Sequence, residues 1–404
     1  MLTLADLDLD ALASECSGRS GGSPFSLSEN SLDALKSTVS DSAVLITGAA
    51  GFIAQATLKH VLRAGPRKVY LLDSSENGLA DLARSLAFRQ HELGNTQVEF
   101  ILADITSPLL KRVIGSMDEV GLIAHFAAAK HVRSERDLGS ALRMLDVNIL
   151  GTHKLLELAT EILSAPPIFA VSTDKAVEPS SLMGASKSIA EALLWSYSGR
   201  STSARFANVL FSSGSLTETW LTRFSQNLPL SAPSNTRRFL VTPDEAGSIC
   251  ANAFVSPDKS LVVPAADVLT PQELVQVAER FLSFFGKQPL PMTIDEFELS
   301  SKPNSTFRSA QDSYPVILTP RDTVGEKAEE VFVRPMERVE EWSQGLQVVY
   351  PAEVPELNHL IASLSDLMMA PERPYDLKTL RELVASFVLD YRPSKATTSL
   401  DFRI

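Results

Sequence analysis

A hydroxyl, a carboxylate and an amine follow one another in the run Val171-Ser172-Thr173-Asp174-Lys175-Ala176. Thr173 can hold a substrate hydroxyl. Asp174 and Lys175 can work as an acid–base pair if burial raises the carboxylate's affinity for a proton and lowers the amine's; a structural ion pair is the plainer alternative. Shortly after comes Met183-Gly184-Ala185-Ser186-Lys187, which adds a second amine one helical turn beyond a methionine. A third run, Val44-Leu45-Ile46-Thr47-Gly48-Ala49-Ala50-Gly51-Phe52-Ile53-Ala54, carries no acid or base. Its chemistry is that of a phosphate cradle. Gly48 permits a tight turn, Gly51 lets backbone approach a diphosphate, and Ala54 stands where a third small residue belongs. Ala50, Phe52 and Ile53 complete the turn and the first amides of the helix, which favour an anion. Asp73, closing Leu71-Leu72-Asp73, either accepts from an adenosine ribose or caps a helix. In the first role it repels a 2′-phosphate and selects NAD over NADP. Asp104 follows another apolar run and can meet the adenine edge.

Such residues need a scaffold that brings them to one crevice. Short apolar runs at 43–46, 68–72, 98–102, 122–125 and 168–172 read as buried strands, separated by helical stretches at 54–63, 78–89 and 138–163. This alternation predicts an α/β fold over residues 41–212: a Rossmann-type, doubly wound parallel sheet with right-handed crossovers. Ligands of such sheets lie beyond the carboxyl ends of the strands. Past Phe211 the alternation loosens. Residues 213–335 are expected to form a smaller mixed α/β portion that binds substrate. A helical extension is expected over 336–404, with helices near 355–369 and 377–391 and a loosely held end from 392. Residues 1–40 read as an arm. A short helix through Leu2, Leu4, Leu7, Leu9 and Leu12 precedes a Ser- and Gly-rich loop at 17–31. The arm either packs on the main body or serves regulation or dimer formation.

Taken together, these runs resemble an extended short-chain dehydrogenase/reductase of the UDP-N-acetylglucosamine 4,6-dehydratase family, the capsular-polysaccharide and flagellin-sugar type. Further segments that carry the likeness are Leu72-Asp73-Ser74-Ser75-Glu76-Asn77, Ala127-Ala128-Ala129-Lys130-His131-Val132, Arg205-Phe206-Ala207-Asn208-Val209, residues 238–242 and Gly325-Glu326-Lys327. The resemblance implies NAD as the cofactor, with Ile105, Ala127, Ala128 and Lys187 joining Gly48, Ala50, Gly51, Phe52, Ile53, Asp73 and Asp104 around it. It implies catalytic roles for Thr173, Asp174, Lys175, Met183 and Lys187, with Lys175 as base and Asp174 as acid. It also implies contacts to a UDP-sugar from Lys130, Asn208, Arg238 and Glu326. Either Arg237 or Arg238 points inward, and spacing to Thr242-Pro243 favours Arg238. Met183 stands where short-chain dehydrogenases carry a tyrosine, and a thioether has no exchangeable proton. Either activity is lost, or Thr173 or Asp174 takes the proton that C4 oxidation releases; family members with methionine here favour activity. A UDP-sugar epimerase and a degenerate NAD-binding scaffold are the competing expectations.

Composition narrows the remaining classes. The 404-residue chain has a formal charge of -12, so nucleic acid is not an expected partner. No apolar run approaches the roughly 20 residues that cross a bilayer, and the start lacks the pattern of a secretory signal; a cytoplasmic location is expected. Cys16 and Cys250 stand far apart, which predicts neither a disulfide framework nor a metal site. His125 and His131 read as structural. The helices near 138–163 and from 183 are candidates for a bundle shared by two copies.

Overall fold

Strand order in the central sheet sets where the three chemical runs meet. The computed structural model describes residues 7–19, 22–130, 135, 137–300, 312–320, 330–352, 354–369, 376–388 and 390–393. The sheet has nine strands: β1 (Ala43–Thr47), β2 (Lys68–Asp73), β3 (Gln97–Leu102), β4 (Val120–His125), β5 (Ile168–Val171), β6 (Ser201–Ala204), β7 (Ser260–Pro264), β8 (Arg338–Ser343) and β9 (Leu346–Tyr350). They lie in the order β8-β9-β7-β6-β5-β4-β1-β2-β3. Pairing is parallel from β3 through β7, whereas β9 joins β7, and β8 joins β9, antiparallel. The order reverses between β1 and β4, so their carboxyl ends open a crevice. All five residues of β1 are buried, as expected for a strand covered by helices on both faces.

Helix Phe52–Ala64 follows β1 directly and packs against helix Pro243–Val255. A Cβ at Gly247 would lie 2.6 Å from the carbonyl oxygen of Ala56, so these helices touch backbone to backbone. Beside the crevice, strands Leu230–Pro233, Gln288–Met292 and Ser313–Thr319 form a small parallel sheet. Trp220 and Phe281, both fully buried, tie that sheet to helices Leu216–Ser225 and Leu274–Phe284.

The expected fold is present, with local departures that have physical causes. The stretch at 138–163 is not one helix: α-helix Leu138–Leu145 passes into a π-helical turn at Asp146–Gly151 and resumes as Thr152–Glu161. Gly151 at its end lets the segment pack closely, since a Cβ there would stand 2.8 Å from the Ile105 side chain. β6 escapes the apolar pattern because its residues are Ser201-Thr202-Ser203-Ala204. Burial is tolerated because Ser201 and Ser203 donate to the carbonyls of Leu194 and Ala170 at 2.8 and 2.7 Å. The 213–335 portion returns β7 to the central sheet. The extension expected to be helical from 336 opens instead with the β8–β9 hairpin. In the arm, helix Leu9–Ser17 buries Leu12, Ala13 and Cys16 against helix Leu274–Phe284, which is the packing alternative. Leu2 and Leu4 lie outside the described residues. The Ser-rich stretch ends sooner than expected, at Ser28, whose hydroxyl caps a second helix, Glu29–Val39.

The tail helices Asn358–Met369 and Leu377–Ala385 are present, and Leu360, Leu364, Leu380 and Val384 are fully buried. They share one core with Met144, Ile149, Leu182 and Ile189. Part of the helical face expected to meet a second copy is therefore covered by the chain itself. Among the described residues, no helix is long and apolar enough to cross a membrane.

Candidate functional site

β1 leads into the glycine turn, and β4 ends beside it at His125. Gly48 has φ +69°, and a Cβ there would lie 2.5 Å from the Ala127 nitrogen, so glycine is required on both counts. Gly51 donates to the Gly48 carbonyl at 2.9 Å and starts helix Phe52–Ala64, whose first turn has no side-chain cap. The helix start therefore remains suited to an anionic group. Asp73 accepts from the Ala50 amide at 3.0 Å and the Ser75 amide at 2.9 Å. It braces the glycine turn while its carboxylate lines the crevice, and the helix that follows is capped by Ser75 rather than by Asp73.

Two adjoining cavities follow the crevice. The first, about 320 Å³, is lined by Gly48, Asp73, Asp104, Ile105 and Ala127, among others; the second, about 380 Å³, by Phe52, Ile53, Lys130, Thr173, Lys175, Met183, Lys187 and Asn208. Gly51, Phe126 and Ala128 border both, so one elongated groove runs from Asp73 to Lys175. An elongated ligand with a central diphosphate suits that shape. Asp104 is more occupied than expected: it accepts from the Thr106 amide and hydroxyl at 2.9 Å and pairs with Arg143. Burial works against the ionised form, but these bonds outweigh it and hold the carboxyl below its usual range.

Buried polar groups fix the floor of the groove. His125 bonds to Thr47 at 2.6 Å and Thr152 at 3.0 Å, and burial, aided by the Lys187 charge, pushes its pKa down to about 3. It is neutral and structural, as expected. Asn148, not anticipated from sequence, sits in the π-helical turn. Its amide clasps the Ala129 backbone at 2.8 and 2.9 Å and donates to Ser186 at 2.9 Å. His131 lies outside the described residues.

The Asp174–Lys175 pair leaves β5 in a short 3₁₀ turn, Asp174–Ala176. Asp174 is 2% exposed, accepts from the Thr173 hydroxyl at 2.7 Å and meets the Lys175 ammonium at 3.3 Å. Gly184 brings helix Leu182–Ser196 against this turn: a Cβ there would come within 2.2 Å of the Lys175 carbonyl oxygen. Met183 is thereby held on the wall of the same cavity as Thr173 and Lys175.

Lys175 departs from expectation. Burial works to lower its proton affinity, but Asp174 and Glu330 outweigh that and hold the ammonium above the usual lysine range. Lys187 behaves oppositely. Burial, only partly countered by Glu191, lowers it to about 8, and its amine donates to the Val171 carbonyl at 3.1 Å. Burial also lowers Lys130, against Glu218. Competitive acylation across a pH series should therefore label Lys187 half-maximally near pH 8, while exposed lysines require about two units more. A midpoint above 10 would contradict the burial argument.

Arg238 is buried and Arg237 exposed, which decides between the two. Arg238 faces Glu330 at 3.6 Å. The same carboxylate accepts from the Asn208 side chain at 2.5 Å and the Phe239 amide at 2.8 Å. Burial and neighbouring Asp174 push Glu330 above the usual carboxylate range. Sequence reasoning missed Glu330 and singled out Glu326, which lies outside the described residues. Behind this cluster, Arg205 is fully buried between Glu191 and Glu337.

The Polysaccharide biosynthesis protein family model matches residues 44–301, more than half of the chain and nearly all the groove. The chain belongs to this family. An uncharacterized membrane protein of Methanocaldococcus jannaschii, MJ1061, is 30% identical over 262 residues, covering 62% of this chain and 74% of that one. The capsular polysaccharide biosynthesis protein CapD of Staphylococcus aureus is 31% identical over 258 residues, covering 61% of this chain and 41% of CapD. The chain thus spans about two-fifths of CapD's length. A UDP-glucose 4-epimerase of Rickettsia bellii is 26% identical, covering 53% of this chain and 63% of the epimerase.

Among solved structures, Pen from Bacillus thuringiensis matches with a TM-score of 0.59 and 21% identity, covering 81% of this chain and 99% of Pen. DesIV from Streptomyces venezuelae, a dTDP-glucose 4,6-dehydratase with NAD bound, matches with a TM-score of 0.50 and 18% identity, covering 69% and 88%. These two likenesses show the fold.

Proposed function

We propose that the chain is an NAD-dependent 4,6-dehydratase of UDP-N-acetylglucosamine in surface-polysaccharide or glycan biosynthesis. The observation that carries this reading is the Asp174–Lys175 pair, 3.3 Å apart, with Lys175 in a cavity that adjoins the glycine turn. A dinucleotide fits the groove: a turn that admits only glycine, an uncapped helix start for the diphosphate and a carboxylate at Asp73 for the ribose. Bound NAD would supply a reversible hydride acceptor, so the net change is redox-neutral: the C4 hydrogen ends at C6, and the C4 hydroxyl proton leaves with the C6 hydroxyl as one water, the C5 proton being removed and replaced on the way.

The residues then divide the work. Lys187 holds the cofactor's ribose, and Thr173 holds the sugar's C4 hydroxyl. Met183 supplies contact only, so Asp174, bonded to Thr173, accepts the C4 proton. Lys175 begins as a cation. Once Asp174 carries the C4 proton it protonates the departing C6 hydroxyl, while Lys175, after losing its proton to solvent, removes the C5 proton and returns one to C5 as the C4 hydrogen is delivered to C6. Arg238 and Asn208 hold the diphosphate of the sugar nucleotide, and Lys130 reaches the sugar.

The test is incubation with UDP-N-acetylglucosamine and NAD in heavy water, followed by NMR. A new C6 methyl signal with deuterium at C5 is expected. Interconversion at C4 with the C6 hydroxyl kept would instead establish an epimerase, the reading favoured by likeness to the Rickettsia enzyme. No change in the sugar would leave a cofactor-binding scaffold.

A further inference from the structure

The loop at 176–181 joins the acid–base turn to the helix that carries Met183 and Lys187, and it does not stand alone. Glu178, within it, has φ +41°, a left-handed conformation that disfavours any side chain bearing a Cβ. Its amide donates to Asp390 at 3.1 Å. Asp390 also binds Arg334 at 3.1 Å, and Arg334 donates in turn to the Ala176 carbonyl. The Arg392 amide donates to the Pro179 carbonyl at 2.8 Å. Thus three successive grips reach the loop from segments more than 140 residues away in sequence, beyond the family match that ends at 301. Tyr391, 3% exposed, anchors the end of this tail in the core.

We propose that Asp390 is a positioning residue: the tail clamps the strained Glu178 turn and so fixes the spacing between the Asp174–Lys175 pair and the Met183–Lys187 wall. Its effect on turnover rests on the function proposed above; its effect on the loop does not. The clamp replaces stabilisation that the loop lacks by itself. Glu178 holds an unfavourable backbone conformation, and the loop's contact with helix Leu182–Ser196 is close enough to exclude a Cβ at Gly184. A shift of the loop is therefore transmitted directly to the start of that helix.

The experiment uses the full chain with Asp390→Ala, alone and combined with Glu178→Gly. Glycine adopts positive φ without a Cβ clash, so the second change relieves the strain the clamp holds. In Asp390→Ala, amide exchange across residues 177–182 should accelerate about tenfold or more, while peptides from the two tail helices keep parental rates. Turnover should fall roughly tenfold to a hundredfold at unchanged KM, as expected when reacting groups are misplaced but binding is kept. Adding Glu178→Gly should restore much of it. Unchanged exchange at 177–182 would overturn the proposal. So would acceleration spread through the tail with no recovery in the double variant, since that marks a merely structural residue. If the parent protein does not act on UDP-N-acetylglucosamine, the functional reading fails, and the exchange data still decide the clamp.

Discussion

Lys175→Met should lower turnover by about two to four orders of magnitude, the range that a positioned acid or base contributes, while cofactor affinity stays near parental. The side chain is one-third exposed on the cavity wall and has no bond to the glycine turn. Methionine keeps much of its length and removes only the proton-carrying group. Asp174→Asn should be comparably severe. An amide oxygen can still accept from Thr173, which preserves the local hydrogen bond at 2.7 Å, but the amide cannot give up or take a proton. Both variants should therefore separate binding from chemistry. Dinucleotide fluorescence titration measures the first, and formation of the methyl signal in heavy water the second. Turnover within threefold of the parent in either variant would remove the acid–base assignment.

Arg205→Met should cost about 3–5 kcal/mol of stability, the range found when one partner of a buried ion pair is removed. The guanidinium is fully buried and spends its donors on two carboxylates: Glu191 at 2.7 and 2.6 Å, Glu337 at 2.8 and 2.7 Å. Arg205→Lys should recover little, because one ammonium cannot bridge two carboxylates in forked geometry. The pH dependence provides a sharper signature. Burial alone would raise Glu191, but the Arg205 charge and its hydrogen bonds more than reverse this and depress it to about 2. Its stabilisation, of order 3 kcal/mol, is complete above the unfolded carboxylate value near 4.5 and is lost as the pH falls toward 2. Without Arg205, only Arg334 and the Ser172 hydroxyl are left to oppose burial, so the depression shrinks. The variant should then lose less stability than the parent as the pH falls from the unfolded value toward 2. Urea denaturation across that range separates the two slopes; parallel curves would show that Arg205 does not hold Glu191 ionised.

Local patterns made the groove legible. Gly48, Gly51 and Asp73 act through backbone geometry and contacts that sequence spacing specifies, and each lines the crevice. Five strands announced themselves as apolar runs. β6 did not, because its buried hydroxyls are satisfied by carbonyls of neighbouring elements that no sequence window contains. Asn148 was hidden for a related reason: its importance comes from a π-helical turn in which its amide meets the Ala129 backbone and the Ser186 hydroxyl, partners that no sequence window contains. The protonation of Lys175 was legible only in part, because its burial and the adjoining Asp174 are local, whereas a carboxylate arriving from position 330 is not. Glu330 illustrates the limit, since its neighbours Asn208 and Arg238 lie some 90 to 120 residues earlier in the chain.

The tail helices carry a consequence of mass action. Had a second molecule covered Met144, Ile149 and Ile189, those side chains would return to water whenever the protein was diluted below its dissociation constant. Here the covering helices arrive on the same covalent thread, at an effective concentration that dilution cannot change. The cover they give to those side chains is therefore inherited by each molecule singly, however scarce the protein becomes.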